Sequence, residues 1–178
     1  MATCRDIIYR AYRMMGVVPN TDDPTADELE TGLGVLQGIY DRVADARDYT
    51  PVVASGTYDA NENERVTGAT AVNLPTTVVD CVTGEDRAPK DTAFVQYDIG
   101  AGFVTHVSDR GSWVALDGLE AGDEAPFSKR NSEGLSALVA LEMAESHPGA
   151  AIGPMTAQKA RRFQTIFSRS DTIDPEYY

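Results

Sequence analysis

The rhythm of the chain changes twice, and that constrains its fold more than any single residue. Up to about Arg47, apolar side chains recur at helical spacing. From Thr50 to about Ser128 short β-branched and aromatic runs alternate with Gly, Pro, Asn and Asp. After Pro126 the helical spacing returns. This order predicts an α+β chain: a small four-helix bundle with a β-rich insertion between the second and third helices. The expected parts are a helical bundle from residues 1–49 and 129–170, a β-rich insertion at 50–128, and an extended C-terminal tail at 171–178. With 178 residues and 42% hydrophobic content the chain can bury one ordinary core, so a single domain with one elaborated insertion is expected.

The helices announce their ends. Thr3 with Asp6 forms a capping-box start, Ile7, Ile8, Ala11, Met14 and Met15 follow at helical spacing, and Gly16 ends the run. The second helix starts either with Asp23 as cap and Pro24 at the first helical position, or with Thr25 as cap and Glu28 reaching back. Its stripe of Leu29, Leu33, Leu36, Tyr40 and Val43 steps by 4, 3, 4 and 3, as a helix facing one partner does. A third, rather hydrophobic helix runs through Leu135, Leu138, Val139 and Leu141 to Met143, and stops at His147-Pro148-Gly149. A fourth opens at Gly153-Pro154, with Thr156, Ala160, Phe163 and Phe167 on one face. Strands are expected near Val52–Tyr58, Arg65–Val66, Ala71–Leu74, Val78–Val82, Phe94–Tyr97, Phe103–Val107 and Ser112–Leu116.

Gly32, Gly34 and Gly38 lie inside the second helix, where each costs roughly 1 kcal/mol relative to alanine. Together they predict close backbone approach by a neighbouring element, within the subunit or between subunits. Their spacing is wrong for a nucleotide loop and no strand precedes them. The charge flanking Gly34 and Gly38 rules out a membrane helix pair.

Motifs for chemistry fail on inspection. Asp59-x-Asn61-x-Asn63 opens like a calcium loop, but Glu64 stands where glycine is required and Thr70 where the bidentate glutamate is required. Cys4 and Cys81 form no zinc or disulfide pattern and read as free thiols. His106 sits in a strand run, and His147 sits at a helix C-terminus, where positive charge is favoured. Adjacent acidic pairs such as Asp22-Asp23, Glu85-Asp86 and Asp123-Glu124 fall at turns. No catalytic residues, metal or cofactor are expected, and the chain reads as something other than an enzyme.

The net charge of −13 is unevenly spread: residues 51–128 carry −9, whereas 129–170 carry +3. A protein that grips a duplex gathers Lys and Arg to release counterions, so this acidic chain is poorly suited to that task. No apolar run is long enough to span a bilayer and Met1–Asp6 lacks a signal layout, which predicts a soluble protein made in cytoplasm.

The sequence Asp6-Ile7-Ile8-Tyr9-Arg10-Ala11-Tyr12-Arg13-Met14-Met15-Gly16-Val17, then Thr25-Ala26-Asp27-Glu28-Leu29-Glu30-Thr31-Gly32-Leu33, then Leu36-Gln37-Gly38-Ile39-Tyr40-Asp41 resembles the opening of head-to-tail adaptor proteins of tailed bacteriophages, also called head-completion or packaged-DNA-stabilisation proteins. The likeness continues at Trp113 to Phe127, through Leu119-Glu120-Ala121-Gly122-Asp123, and at Gly134 to Ala144. It rests on layout and composition and contains no catalytic signature. The long β insertion departs from the shortest, all-helical members.

The resemblance implies a structural ring subunit of the virion neck, commonly dodecameric, that docks on the portal protein, helps retain packaged DNA and carries the next tail or stopper protein. DNA would pass the lumen without sequence-specific binding, past an acidic wall that repels it. It also implies that the tail Thr172, Ile173, Asp174, Pro175, Glu176, Tyr177 and Tyr178 docks on the portal. Lys159, Arg161, Arg162 and Arg169 meet acidic surfaces of the portal or a neighbouring subunit, or form one solvated face. Leu29, Leu33, Gly34, Leu36, Gly38, Tyr40 and Val43 form the helix-packing face. Rival readings are a tail-completion or tail-terminator ring, and a small ligand-binding or enzymatic domain with its pocket in the β insertion.

Overall fold

The computed structural model describes residues 2–18, 22–59, 63–74, 77–79, 83–87 and 92–168. Four helices are present among them: α1 (Cys4–Met15), α2 (Ala26–Asp45), α3 (Ser128–Ala144) and α4 (Pro154–Ser168). Between α2 and α3 lie β1 (Thr50–Asp59), β2 (Glu64–Asn73), β3 (Val78–Val79), β4 (Asp86–Arg87), β5 (Phe94–Asp98), β6 (Phe103–Asp109) and β7 (Ser112–Ala115). The chain divides into two compact units. One takes in the described residues of Met1–Tyr40 and Gly118–Tyr178, the other is Asp41–Asp117.

The first unit is helical, and its starts follow local hydrogen bonding. Thr3 N–H donates to Asp6 Oδ2 at 3.0 Å and Asp6 N–H to Thr3 Oγ1 at 3.2 Å, satisfying two of the donors that a helix start leaves open. Gly16 closes α1 in the left-handed region at φ 70°. Of the two candidate caps for α2 the chain uses Thr25, whose N–H donates to Glu28 Oε2 at 2.7 Å. Asn131 has extended backbone inside α3, and its Oδ1 accepts from Gly134 N–H at 2.8 Å, so it caps the helix proper.

These helices do not form the expected four-helix bundle, although the chain is α+β. α3 is the hub: it packs on α1 and on α4, and Gly134 through Ala140 are buried on every side. α2 meets α1 where a Cβ on Gly32 would clash with Ile8 Cγ2, and where Tyr12 Oη donates to the Glu28 carbonyl at 3.0 Å. Leu36 and Tyr40 are fully buried, with Tyr40 Oη donating to the Pro126 carbonyl at 2.7 Å, but Leu29, Leu33 and Val43 are only half-buried. A period of 3.5 specifies a helix with one apolar side and leaves open what covers it. The aromatic end of the core is a chain of edge-on rings, Phe163 to Phe167 at 5.2 Å and Phe167 to Phe127 at 5.2 Å.

The second unit is built on a curled mixed sheet. Its strand order is β1-β2-β5-β6-β7, and β3 with β4 makes a separate two-stranded ladder. β5, β6 and β7 are antiparallel neighbours, while β1 and β2 run parallel, as do β2 and β5. The two runs expected at Arg65–Val66 and Ala71–Leu74 are one continuous strand, β2. Of the run expected at Val78–Val82, β3 takes the first two residues, and 80–82, Cys81 among them, lie outside the described residues.

Parallel neighbours ordinarily need a connection of a dozen residues or more, whereas four separate β1 from β2. The register shifts on both sides of Gly56, and Gly56 and Gly68 hold φ of 89° and 78°. Such bulges bend and twist a strand, which suits a curled pair. At Gly68 a Cβ would lie 2.7 Å from the Ala54 carbonyl oxygen, whereas at Gly56 it would meet nothing among the described residues within 4 Å. Gly56→Ala is therefore expected to cost about 1 kcal/mol for the backbone conformation alone. Gly68→Ala should cost about 2–3 kcal/mol, because the Ala54 backbone must also move. Urea denaturation of the two variants checks this, and equal losses would mean that β1 and β2 are not so closely apposed.

Candidate functional site

No helix among the described residues is long and apolar enough to cross a membrane, and among them no three His, Cys, Asp or Glu side chains gather to hold a metal ion.

In the second unit one row of side chains crosses three strands. Arg65, Gln96 and Thr105 are register partners on β2, β5 and β6. Arg65 Nε donates to Gln96 Oε1 at 2.9 Å, and Gln96 Nε2 donates to Thr105 Oγ1 at 3.3 Å. The Thr105 N–H donates in turn to Asp117 Oδ2. The Arg65 guanidinium lies over the rings of Tyr49, at 4.9 Å, and Phe103, at 5.2 Å, an arrangement that stabilises a partly desolvated cation. Burial pushes the Tyr49 hydroxyl well above its usual range, with Arg65 and Arg47 pulling the other way.

A cleft of about 470 Å³ opens beside this row, lined among others by Asp41, Asp45, Arg65, Phe103, Thr105 and Asp117. Its polar groups bond largely to one another across the strands, as a cross-strand ladder does. Three carboxylates outnumber one guanidinium, which disfavours anionic ligands. The sequence reading missed this row because its members are 9 and 31 residues apart and only the strand register aligns them.

Neither described histidine is set up as a general base. His106 stacks on Tyr97 at 5.8 Å with 19° between the planes, and its Nδ1 finds no hydrogen-bond partner among the described residues. Burial holds its ring below the usual imidazole range, with Asp117 opposing. His147 Nδ1 faces the Met143 carbonyl at 3.1 Å and its ring meets Tyr12 edge-on at 5.5 Å. Ser146 Oγ lies 3.5 Å from that nitrogen but donates to the same Met143 carbonyl at 3.0 Å, so both side chains finish α3. Burial raises the Cys4 thiol to about 11, with Asp123 adding to it, which leaves little thiolate for nucleophilic work.

The depressed His106 value has a measurable consequence. As pH falls through about 6.5 the unfolded chain takes up a proton that the folded chain refuses, so stability declines until pH drops below the folded value. Asp6 and Glu28 act lower: backbone N–H donors of the caps hold both carboxyls below their ordinary range, so their contribution is present above about pH 4 and fades as pH falls through the folded values. Thermal unfolding between pH 7.5 and 5.5 should show a falling midpoint, and His106→Gln should flatten it. An unchanged slope in the variant would remove His106 as the cause.

The helix face anticipated from sequence divides. Leu36 and Tyr40 belong to the interior of the first unit, Leu29, Leu33 and Val43 are half-buried, and a Cβ added at Gly34 or Gly38 would meet no atom of the described residues within 4 Å. Among the described residues, close approach is realised at Gly32 alone of the three. The basic set divides as well. Lys159 Nζ pairs with Glu133 Oε2 at 2.8 Å, while Arg161 and Arg162 are exposed. Arg169 and the tail, Thr172 to Tyr178, lie outside the described residues. Among known proteins, no family model matches this chain and no curated protein matches it.

Proposed function

We propose that the chain is a structural subunit of the tailed-phage neck, which assembles into a ring under the portal, helps retain packaged DNA and carries the next tail component. The observation that carries this reading is the unused face of α2. Interior glycines cost helix stability, and at Gly34 and Gly38 nothing among the described residues within 4 Å of an added Cβ repays that cost. Docking of a second chain there would do so. Two further features agree with a structural role: the resemblance of the α1–Gly16–α2 layout to head-to-tail adaptors, and polar clusters whose members bond to one another. An excess of negative charge suits a wall along which DNA must slide.

The test is to mix the purified protein with the portal of the same phage and image the mixture in negative stain beside the protein alone. A ring stacked coaxially on the portal is the expected result. Removal of residues 171–178 should abolish that binding and leave the circular dichroism spectrum unchanged. A protein that stays a solitary globule in the presence of portal would defeat the proposal.

A further inference from the structure

The exposed sides of α2 and α4 differ in charge and shape in a complementary way. Steps of 100° per residue place Asp27, Glu30, Thr31, Gly34 and Gly38 within one arc of about 100°. This arc lies opposite Leu36 and Tyr40. Along it the first four residues are exposed and Gly38 is half-buried. The ionisable groups of this stretch, Asp27 and Glu30, are both acidic, and its glycines leave a shallow notch, where an added Cβ would meet nothing among the described residues within 4 Å.

On α4, Ala160, Phe163 and Phe167 are turned inward. The outward side carries Met155, Gln158, Arg161, Arg162 and Thr165, all exposed, with Met155 at 66%. Arg161 and Arg162 pair with no carboxylate among the described residues, in contrast to Lys159, which Glu133 holds. This outward side has positive charge and one bare apolar group.

We propose that the outward side of α4 in one copy of this chain docks on the glycine-notched side of α2 in the next copy. This inference rests on the ring reading above and names the contact that would build it. The occupant is a second copy because the two faces complement each other and sit on the same chain. Arg161 and Arg162 meet Asp27 and Glu30, and Met155 and Gln158 enter the space over Gly34 and Gly38. Absence of Cβ atoms lets helix backbones approach closely, so packing supplies the affinity. The charges at the rim select the face and speed encounter. Each copy offers one face and accepts the other, so the contact is heterologous, and repeated contacts of this kind close into a ring when the rotation allows.

Mass photometry of the full-length protein across a concentration series tests this. The wild type should assemble, and Arg161→Glu/Arg162→Glu should weaken assembly by about tenfold or more, as should Asp27→Lys/Glu30→Lys. Combining both reversals in one chain should restore it, since the pairs are re-formed with opposite sign. Gly34→Leu should abolish assembly while leaving the monomer's melting temperature equal or higher, because leucine favours a helix and meets open space.

If the wild type assembles and neither reversal weakens it, or if Gly34→Leu assembles normally, the α2–α4 contact is wrong while a ring built otherwise survives. Reversals that each weaken assembly but fail to rescue one another overturn the pairing of these two faces. A wild type that never self-associates sinks the contact and the ring reading together.

Discussion

Phe163→Ala is expected to lower the unfolding free energy by about 3–5 kcal/mol, the usual cost of deleting a buried phenylalanine. Phe163 is fully buried on α4 and its ring meets Phe167 edge-on, which in turn meets Phe127. On its other side stands Gly134 of α3, where an added Cβ would fall 2.9 Å from Phe163 Cβ. Backbones held this close cannot collapse much further into the void that alanine leaves, so the cavity cost should be near the upper end. Guanidinium denaturation followed by far-ultraviolet circular dichroism measures it. A loss below about 1 kcal/mol would mean that α4 is not seated on α3.

Phe94→Ala should cost a similar amount, about 3–5 kcal/mol, in the other unit. Phe94 is fully buried on β5, and the Arg47 guanidinium lies 4.9 Å above its ring. Arg47 is itself buried, so alanine would remove both packing and the electron-rich face that accommodates a desolvated cation. Hydrogen exchange of the β5 and β6 amides gives the local readout. A conservative Phe94→Leu should recover much of the packing but none of the ring interaction, falling between wild type and alanine. If leucine were as damaging as alanine, shape at this site would outweigh both terms.

Element ends were largely legible in the sequence because they depend on near neighbours. Thr3 with Asp6, Gly16, and Thr25 with Glu28 all act within four residues, and each does what its spacing predicts. The α3 hub was visible as an unusually apolar run. Partners were not legible. A period of two states which side chains share a face, yet it says nothing of strand direction, so the parallel pairing of β1 with β2 had no signature beyond Gly56 and Gly68. The helix stripe likewise suggested a bundle, because Leu29 and Leu33 look the same in sequence as Leu36, although the fold covers them to different depths. The three α2 glycines could not be ranked until the position of Ile8 showed which one is used. For the basic set, the Lys159–Glu133 bond spans 26 residues and two helices, beyond the reach of any local rule.

The start of α1 is tied to a segment far along the chain. Cys4 N–H donates to the Asp123 carbonyl at 2.9 Å, Arg5 N–H to the Ala121 carbonyl at 3.0 Å, and Ala125 N–H to the Ala2 carbonyl at 3.1 Å. These residues follow the whole of the sheet in sequence, so during synthesis the first helix waits for the segment it docks on until some 120 further residues have been made. Its apolar side, Ile7, Ile8, Ala11 and Met15, stays without its final cover for that interval. Late closure of this kind slows folding and gives chaperones, or a sister chain on the same message, time to bind first.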